Sequence, residues 1–337
     1  MKTFLNFYKT KMKIDGKNYR INKVLYKSSN SCRIRNVYQI EDTNSHRKFI
    51  LKEIRFNNDH FLCQKEEEIS VIYEIKLLSW LKQTLTSEES EYFGLLCNYE
   101  IVKEKGTVYY LMFDYFTGMD LFEYANLESK LTEVERHSIF KDILFNIAKG
   151  LEILHQKMVA HRDLKLENIY LIEKTSPDNK DDQINLCTQT RYWPIIIDFN
   201  LSCCFNPDFW KQTGLLASSS WDLEQVSRKR LRYISGTKYY MSPETVLKQD
   251  NCFQNLLLTD IWSMGVLIYS FIFQRYPFSV STCFQSLYSY NNESSRWRLQ
   301  LMRNLTPFNN LIKDIFVPRN KRISISQIID YLTKLNI

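Results

Sequence analysis

The stretch His161-Arg-Asp-Leu-Lys-Leu-Glu-Asn168 is the most informative part of the 337-residue chain. It places a carboxylate at Asp163, an ammonium group at Lys165 and an amide at Asn168 close together in sequence. The stretch follows residues 132–157, whose apolar side chains recur at helical spacing. A long amphipathic helix is therefore expected to lead into this polar segment.

Other motifs occur on both sides of this stretch. Asp198-Phe-Asn200 directly follows Pro194-Ile-Ile-Ile197, an apolar run that predicts a buried strand. Gly236-Thr-Lys-Tyr-Tyr-Met-Ser-Pro-Glu244 and Asp260-Ile-Trp-Ser-Met-Gly265 come later, and Lys48-Phe-Ile-Leu-Lys52 comes earlier. Each motif alone is weak, but their order is informative.

In this order the motifs resemble those of eukaryotic-type serine/threonine protein kinases. The resemblance covers residues 18–334 as one protein kinase domain and leaves 1–17 as a short basic N-terminal extension. It implies an α+β, two-lobed fold: a small, mainly antiparallel β N-lobe with one helix at about 18–116, and a larger, mainly α C-lobe at about 117–334. ATP is expected in the cleft between the lobes.

The resemblance implies ATP- and magnesium-dependent transfer of the γ-phosphoryl group to serine or threonine of protein substrates. Asp163 matches the catalytic base, and Lys165 matches the lysine that steadies the transferring phosphate. Asn168 and Asp198 match the magnesium ligands. Thr237 matches the residue that bonds the catalytic aspartate in the serine/threonine branch, so Lys165 and Thr237 both argue against tyrosine specificity.

Some matching residues have structural roles in the family. Glu244 needs a buried cationic partner, because an unpaired interior carboxylate is costly. Arg322 matches the arginine that supplies it, and Asp260 matches the aspartate that ties down the catalytic-loop backbone. Ser242 departs from the family, which has alanine there.

Lys52 matches the lysine that contacts the α- and β-phosphates, and Glu74 matches its ion-pair partner on a helix predicted at 66–82. Glu66, Glu67 and Glu68 lie on the same helix, and a solvated charged face would explain any one of these glutamates.

Residues 109–116 match the strand and hinge that bracket adenine. The resemblance implies nucleotide contacts for Phe113 at the back of the pocket, Asp114 and Phe116 in the hinge, and Asp120 near the ribose.

The phosphate-covering loop departs from the family, because no glycine occurs between Gly16 and Gly94. Val37 fits the valine of the motif, and three residues fall where glycines belong: Asn30, Cys32 and Arg35. Side chains there hinder close approach of the backbone to phosphates. Either ATP binds more weakly, or the protein is a pseudokinase that serves as a docking or scaffold module. Asn200, which replaces a family glycine, raises the same question.

Arg162 matches an arginine that often grips a phosphate on the activation segment. The segment offers several acceptors: Thr213, Ser218, Ser219, Ser220, Ser227 and Ser235. A serine-rich loop without modification is the alternative. Glu167 and Asp120 match positions that face arginines upstream of the acceptor, so a mild preference for basic peptides is expected. Autophosphorylation at Ser235 would fit that preference.

Composition limits the other classes of function. Lys and Arg number 45 against 38 Asp and Glu, and the basic run 227–232 is expected to be a solvated loop rather than a nucleic-acid site. The eight cysteines form no C-x-x-C pair, so neither a zinc ribbon nor a disulfide framework is expected. An intracellular location, cytoplasmic or nuclear, follows.

The N-terminus lacks the continuous apolar region of a secretory signal. Residues 261–273 are too short to cross a bilayer, so they predict a core helix and no membrane span. The sequence leaves the oligomeric state open.

Periodicity predicts the elements around the motifs. Strands are expected at 21–26, 36–40, 48–54, 99–103 and 107–113. Later helices are expected at 258–273, 295–303, 309–316 and 324–335. Thr132 and Glu135 predict a capping box at the start of the long helix. Residues 174–190 and 206–230 are expected to be long loops.

Overall fold

The structure is a computed structural model and describes residues 11–29, 33–56, 61–103, 106–127, 132–175, 190–214, 237–246, 253–278 and 306–337. These residues form two compact units. The first takes the described residues up to Leu85 together with Gly94–Phe116, and the second takes Thr86–Phe93 and the described residues from Thr117 onward. The predicted domain bounds, 1–17 and 18–334, stay predictions.

The first unit is an antiparallel sheet with one long helix. Its strands are β1 (Lys11–Ile14), β2 (Lys17–Ser29), β3 (Arg33–Asp42), β4 (Lys48–Phe56), β5 (Leu96–Lys103) and β6 (Thr107–Asp114), and its helix is α1 (Phe61–Thr84). The strand order is β1-β2-β3-β4-β6-β5. Successive side chains of a strand point to opposite faces. On one face Tyr38 and Ile40 of β3 pack with Phe49 and Leu51 of β4 in a buried core.

The second unit is mainly helical. Its helices are α2 (Ser87–Ser90), α3 (Leu121–Asn126), α4 (Glu133–Gln156), α5 (Pro207–Thr213), α6 (Pro243–Val246), α7 (Phe253–Phe273), α8 (Asn309–Ile315) and α9 (Ile325–Lys334), with 3₁₀ turns at Leu166–Asn168 and Arg319–Lys321. Its strands are β7 (Gly118–Asp120), β8 (Val159–Ala160), β9 (Ile169–Thr175), β10 (Thr190–Ile196) and β11 (Cys203–Cys204). They form two small sheets, β10-β9-β7 and β11-β8. The predicted fold class, an antiparallel β region followed by a helical region, is confirmed.

Helix α4 begins with the predicted capping box. Thr132 Oγ1 accepts a hydrogen bond from the Glu135 N–H at 3.3 Å, and Glu135 Oε2 accepts one from the Thr132 N–H at 2.8 Å. These bonds satisfy backbone donors that the first helical turn leaves open. The helix thus starts at a defined residue and ends at Gln156, and the short strand β8 separates it from His161.

Helix α7 is longer than the sequence indicates, since it begins at Phe253 rather than 258. Helix α8 packs closely against it, because a Cβ at Gly265 would lie 2.4 Å from Ile315 Cγ2. The predicted helices at 309–316 and 324–335 are confirmed to within a residue at each end. The predicted helix at 295–303 lies outside the described residues.

The prediction of a loop throughout 206–230 was wrong at its start, where Pro207–Thr213 is helical. Asn206 Oδ1 caps this helix by accepting from the Asp208 N–H at 2.9 Å, and Pro207 occupies the first turn. Asparagine followed by proline is a helix-start signal that the polar composition of the stretch concealed.

By length and composition, Gln254–Phe273 would be long and apolar enough to cross a membrane. Most of this stretch is buried inside the second unit. It also carries the fully buried carboxylate of Asp260, which accepts hydrogen bonds from the main chain at His161 and Arg162. These contacts are those of a core helix, and the absence of a membrane span stays a prediction.

Candidate active site

The antiparallel pair β9–β10 brings two of the predicted site residues together. Ile169 at the start of β9 lies opposite Ile196 at the end of β10. Residues just before β9 and just after β10 must therefore lie at the same end of the hairpin. The Ile197 N–H donates to the Asn168 carbonyl oxygen at 3.0 Å, so Asn168 and Asp198 are brought to one edge.

The segment before β9 is held by Asp260. Its Oδ2 accepts from the His161 N–H at 2.9 Å, and its Oδ1 accepts from the Arg162 N–H at 2.8 Å. Arg162 has a φ of 67°, in the left-handed region that costs a residue other than glycine about 1–2 kcal/mol. The carboxylate stabilises a backbone bend that would otherwise relax, and that bend precedes Asp163. The predicted role of Asp260 is confirmed.

The Asp163 carboxylate is buried and held at both oxygens. Oδ1 accepts from the Thr237 N–H at 3.0 Å and from its hydroxyl at 3.1 Å. Oδ2 accepts from Asn168 Nδ2 at 3.0 Å and lies 3.0 Å from Lys165 Nζ. Lys165 Nζ also donates to Thr237 Oγ1 at 2.9 Å. The predicted bond between Thr237 and the aspartate is confirmed, and all four side chains form one cluster.

The segment after β10 holds its aspartate in an unusual backbone conformation. Asp198 has a φ of 65°, whereas Asn200 is not among the described residues with positive φ. Phe199 is buried against the His161 ring at 5.2 Å between centroids and against Phe93 at 6.1 Å. Asn200 is thus compatible with this backbone, since the left-handed position falls on Asp198 instead.

The predicted pair of Glu244 and Arg322 is confirmed. Arg322 Nη2 lies 3.0 Å from Glu244 Oε1, and both side chains are almost fully buried. Arg322 also donates to the carbonyl oxygens of Leu258, Ile315 and Val317. Its guanidinium lies over the Trp262 ring. The arginine therefore links Glu244 in α6 to the main chain of α7 and of α8.

In the first unit, Lys52 Nζ lies 2.8 Å from Glu74 Oε1, and both side chains are buried. Among the other glutamates, Glu68 accepts instead from the Tyr109 hydroxyl at 2.5 Å. The side chains of Glu66 and Glu67 lie outside the described residues. The predicted pairing is present, while the contact of Lys52 with phosphate stays a prediction.

The remaining predicted nucleotide residues are placed as follows. Val37 on β3 is paired with Lys52 on β4. Phe113 is half-buried on β6, and Asp114 at the end of β6 forms an ion pair with Arg47 at 2.5 Å. Phe116 is half-buried after the strand. Asp120 Oδ1 caps α3 by accepting from the Glu123 N–H at 2.7 Å, a use that the sequence did not indicate. Asn30 and Cys32 lie outside the described residues.

Two features of this site escaped the sequence analysis. His155 Nε2 lies 3.1 Å from Asp260 Oδ2, which adds a third contact to that carboxylate. Tyr239 and Tyr276 stack with centroids 4.3 Å apart, and Tyr240 meets Tyr276 edge-on at 5.7 Å. Burial, the leading cause, and the Glu167 charge raise the pKa of Tyr240 above its ordinary value. His155 lies near the end of the helix predicted at 132–157, and this position is the sequence feature that could have indicated its contact with Asp260.

Residues 215–236 of the activation segment, which the resemblance places at 198–244, lie outside the described residues. They include Ser218, Ser219, Ser220, Ser227 and Ser235. Thr213 is described, and its hydroxyl donates to the Phe209 carbonyl oxygen at 2.7 Å. It is half-buried at the end of α5.

Comparison with curated proteins finds similarity to several protein kinases. The chain is 29% identical over 220 residues to calcium-dependent protein kinase 4 of Plasmodium falciparum. The matched region covers 65% of this chain and 31% of that protein. It is 28% identical over 211 residues to SNF1-related protein kinase catalytic subunit alpha KIN12 of Arabidopsis thaliana, covering 63% and 32%. A probable serine/threonine-protein kinase KIN1 homolog of Encephalitozoon cuniculi is 27% identical over 172 residues, covering 51% and 23%.

The chain spans about a third or less of the length of these curated relatives. The family model of the protein kinase domain matches residues 33–332, which include the Asp163 cluster, Asp198, the Lys52–Glu74 pair and the Glu244–Arg322 pair. The chain therefore belongs to the protein kinase domain family.

Proposed function

We propose that this protein transfers the γ-phosphoryl group of ATP to serine or threonine side chains of protein substrates. The observation that carries the proposal is the cluster around the Asp163 carboxylate, formed by Lys165, Asn168 and Thr237. Such a transfer needs a positioned hydroxyl, stabilised phosphate charge and one carboxylate that accepts the hydroxyl proton.

Asp163 is the proposed base. Donors on both carboxylate oxygens fix its orientation. As the substrate hydroxyl oxygen forms a bond to the γ-phosphorus, the bond from that phosphorus to the bridging oxygen breaks and ADP leaves. The hydroxyl proton passes to Asp163. Lys165, held 3.0 Å from the carboxylate, is placed to stabilise the charge of the phosphoryl group in transfer.

Asn168 and Asp198 are the proposed magnesium ligands, and their donor atoms fit the ion. The Asn168 amide nitrogen donates to the Asp163 carbonyl oxygen at 2.7 Å and to Oδ2 at 3.0 Å. Its two protons are thereby engaged, and the amide oxygen is the remaining ligand atom. Amide and carboxylate oxygens are the hard donors that magnesium prefers. When bound, the ion neutralises charge on the β- and γ-phosphates.

In the first unit, Lys52 is the proposed ligand of the α- and β-phosphates, and Glu74 orients its ammonium group. Val37, Phe113, Asp114 and Phe116 are proposed to border the adenine, and Asp120 the ribose. Asp120 already caps α3 through Oδ1, so its second carboxylate oxygen is the one proposed for the sugar.

A preference for basic residues upstream of the acceptor is supported by Glu167. Its Oε2 is buried and has no hydrogen-bond partner among the described residues. A buried carboxylate oxygen in this state is stabilised by a cationic side chain from a bound peptide.

Arg162 is the proposed site for an activation-segment phosphate. The protein is proposed to act inside the cell.

Transfer of labelled phosphate from Mg·ATP to peptide libraries with serine, threonine or tyrosine acceptors tests the proposal. We expect labelled phosphoserine or phosphothreonine, and a loss of about 10²–10⁴-fold in kcat for Asp163→Asn. Asp314→Asn, which alters an exposed carboxylate on α8, is the matched control and keeps full activity.

The competing candidate is a catalytically silent docking module, favoured by the absence of glycine between Gly16 and Gly94. It is supported instead if neither wild type nor Asp163→Asn transfers phosphate and Mg·ATP causes no thermal shift. Labelling of tyrosine alone would contradict the proposed acceptor class.

A further inference from the structure

The hairpin formed by β2 and β3 carries arginines at its far end. Ser28 pairs with Arg35 and Ser29 with Ile34, so Arg35, which replaces one of the family glycines, lies within the paired part of β3. Strand β3 runs beside β4 without a register shift, from Arg33 opposite Phe56 to Glu41 opposite Lys48. The faces of these strands can therefore be assigned residue by residue.

Arg35 lies on the face of the sheet that carries Lys52. Lys52 is paired with Val37, and Arg35 precedes Val37 by two positions on the same strand. Paired residues share a face, and so do alternate residues. Contacts of the intervening residues support this assignment, because Asn36 Nδ2 and the Tyr38 hydroxyl both bond to Glu53 Oε2 at 2.9 Å. Glu53 follows Lys52 and belongs to the opposite face.

The spacing places Arg35 within reach of a ligand held by Lys52. Neighbouring strands lie about 4.8 Å apart and two residues span about 6.7 Å, which gives roughly 8 Å between the two Cα atoms. Both side chains are long enough to meet groups of one triphosphate. Arg33, paired with Phe56, lies on the same face two residues farther along β3.

An arginine side chain can bind phosphate at a position where this chain lacks the glycines of the family. Glycines allow backbone N–H groups to approach phosphates closely, and this chain has none there. A guanidinium carries its donors on a long side chain and binds phosphate oxygens in a bidentate manner without close backbone approach. Lys52 is already paired with Glu74, so an additional cation on this face adds positive charge for the nucleotide.

We propose that Arg35 contacts the phosphates of the bound nucleotide and replaces the backbone amides of a glycine-rich loop. The inference rests on the proposed function, since it names a ligand contact for that same nucleotide. It gives a third explanation of the glycine-free hairpin, alongside weaker binding and loss of catalysis.

Calorimetric titration of the full chain with Mg·ATP and with adenosine tests this contact. Arg35→Gln removes the charge and keeps much of the side-chain length. We expect it to weaken Mg·ATP binding by about ten- to a hundredfold, the size of a lost charge-assisted hydrogen bond. Adenosine, which lacks phosphates, binds wild type and variant equally. Arg35→Lys keeps the charge but not the bidentate geometry, so we expect its Mg·ATP affinity to lie between those of wild type and Arg35→Gln.

Lys27→Ala is the matched control. Lys27 is an exposed cation of the same hairpin and is paired with Asn36 on the opposite face. We expect its removal to change Mg·ATP affinity less than about twofold, the scale of a surface substitution away from the ligand. An equal loss for both variants would mean that only the general charge of the hairpin matters, and would overturn the specific contact.

Arg35→Gly decides between contact and obstruction. Restoring glycine weakens Mg·ATP binding if Arg35 is a ligand contact, and tightens it if the side chain merely obstructs the phosphates. Unchanged Mg·ATP binding in Arg35→Gln, with wild type active, overturns this inference and leaves the proposed function standing. A wild type that binds neither Mg·ATP nor adenosine overturns both.

Discussion

The carboxylate of Asp260 accepts a hydrogen bond of 2.8 Å from the main-chain N–H of Arg162, 98 residues earlier in the chain. Arg162 is in the left-handed backbone region and directly precedes the proposed base. A buried carboxylate on a core helix thus stabilises a conformation that the local sequence would not adopt alone.

We therefore expect Asp260→Asn to reduce kcat about tenfold to a hundredfold. The amide NH2 replaces one carboxylate oxygen and faces a backbone N–H donor, so one of the two hydrogen bonds is lost and the base is displaced. Steady-state kinetics with an urea titration measures this effect. Asp314→Asn controls for loss of an exposed carboxylate. Normal kcat in a stably folded Asp260→Asn protein would contradict the positioning role.

Thr237 links the base to Lys165 through one hydroxyl. Thr237→Val removes that hydroxyl and keeps the backbone N–H that bonds to Asp163. We expect kcat to fall about tenfold or more, with little change in KM for ATP. Thr237→Ser retains the hydroxyl and restores most of the activity. A rise in KM with unchanged kcat would assign Thr237 to binding instead.

Arg322 is the partner of a buried carboxylate and a donor to three carbonyl groups. Its replacement by alanine leaves Glu244 buried and unpaired, so we expect a loss of about 3–5 kcal/mol in the free energy of unfolding. Chemical denaturation measures it. Lys321→Ala, at an exposed neighbouring position, should change the free energy by less than about 0.5 kcal/mol.

Glu53 predicts a pH dependence of stability. Burial raises the pKa of its carboxyl, but hydrogen bonds from Asn36, Arg55 and Tyr38 outweigh that effect and hold the pKa below its ordinary value. The unfolded chain binds this proton more readily, so the stabilisation is complete above about pH 4.3 and is lost as pH falls through the folded-state pKa.

We expect Glu53→Gln to flatten the fall in unfolding free energy below about pH 4.3, measured by urea titrations at several pH values. Glu88→Gln, at an exposed position on α2, should retain the wild-type slope. An unchanged slope in Glu53→Gln would mean that other carboxyl groups cause the acid sensitivity.

Local patterns predicted the elements that depend on nearby residues. The capping box of Thr132 and Glu135 involves residues three positions apart, and the helical spacing after it is a property of the segment itself. By contrast, the sequence alone could not show that Asp120 uses one oxygen as a helix cap, because an aspartate that binds a ligand and an aspartate that caps a helix look the same in sequence.

The sequence by itself determined the family, through the order of the motifs from Lys52 to Arg322, and it identified Asp163, Lys165, Asn168 and Asp198 as candidates. Only the tertiary structure decided which groups meet. Glu74 rather than Glu68 pairs with Lys52, His155 joins Asp260, and Arg35 shares a face with Lys52. The reason is physical: a motif records the chemistry of adjacent residues, whereas contacts between distant segments depend on strand register and helix packing.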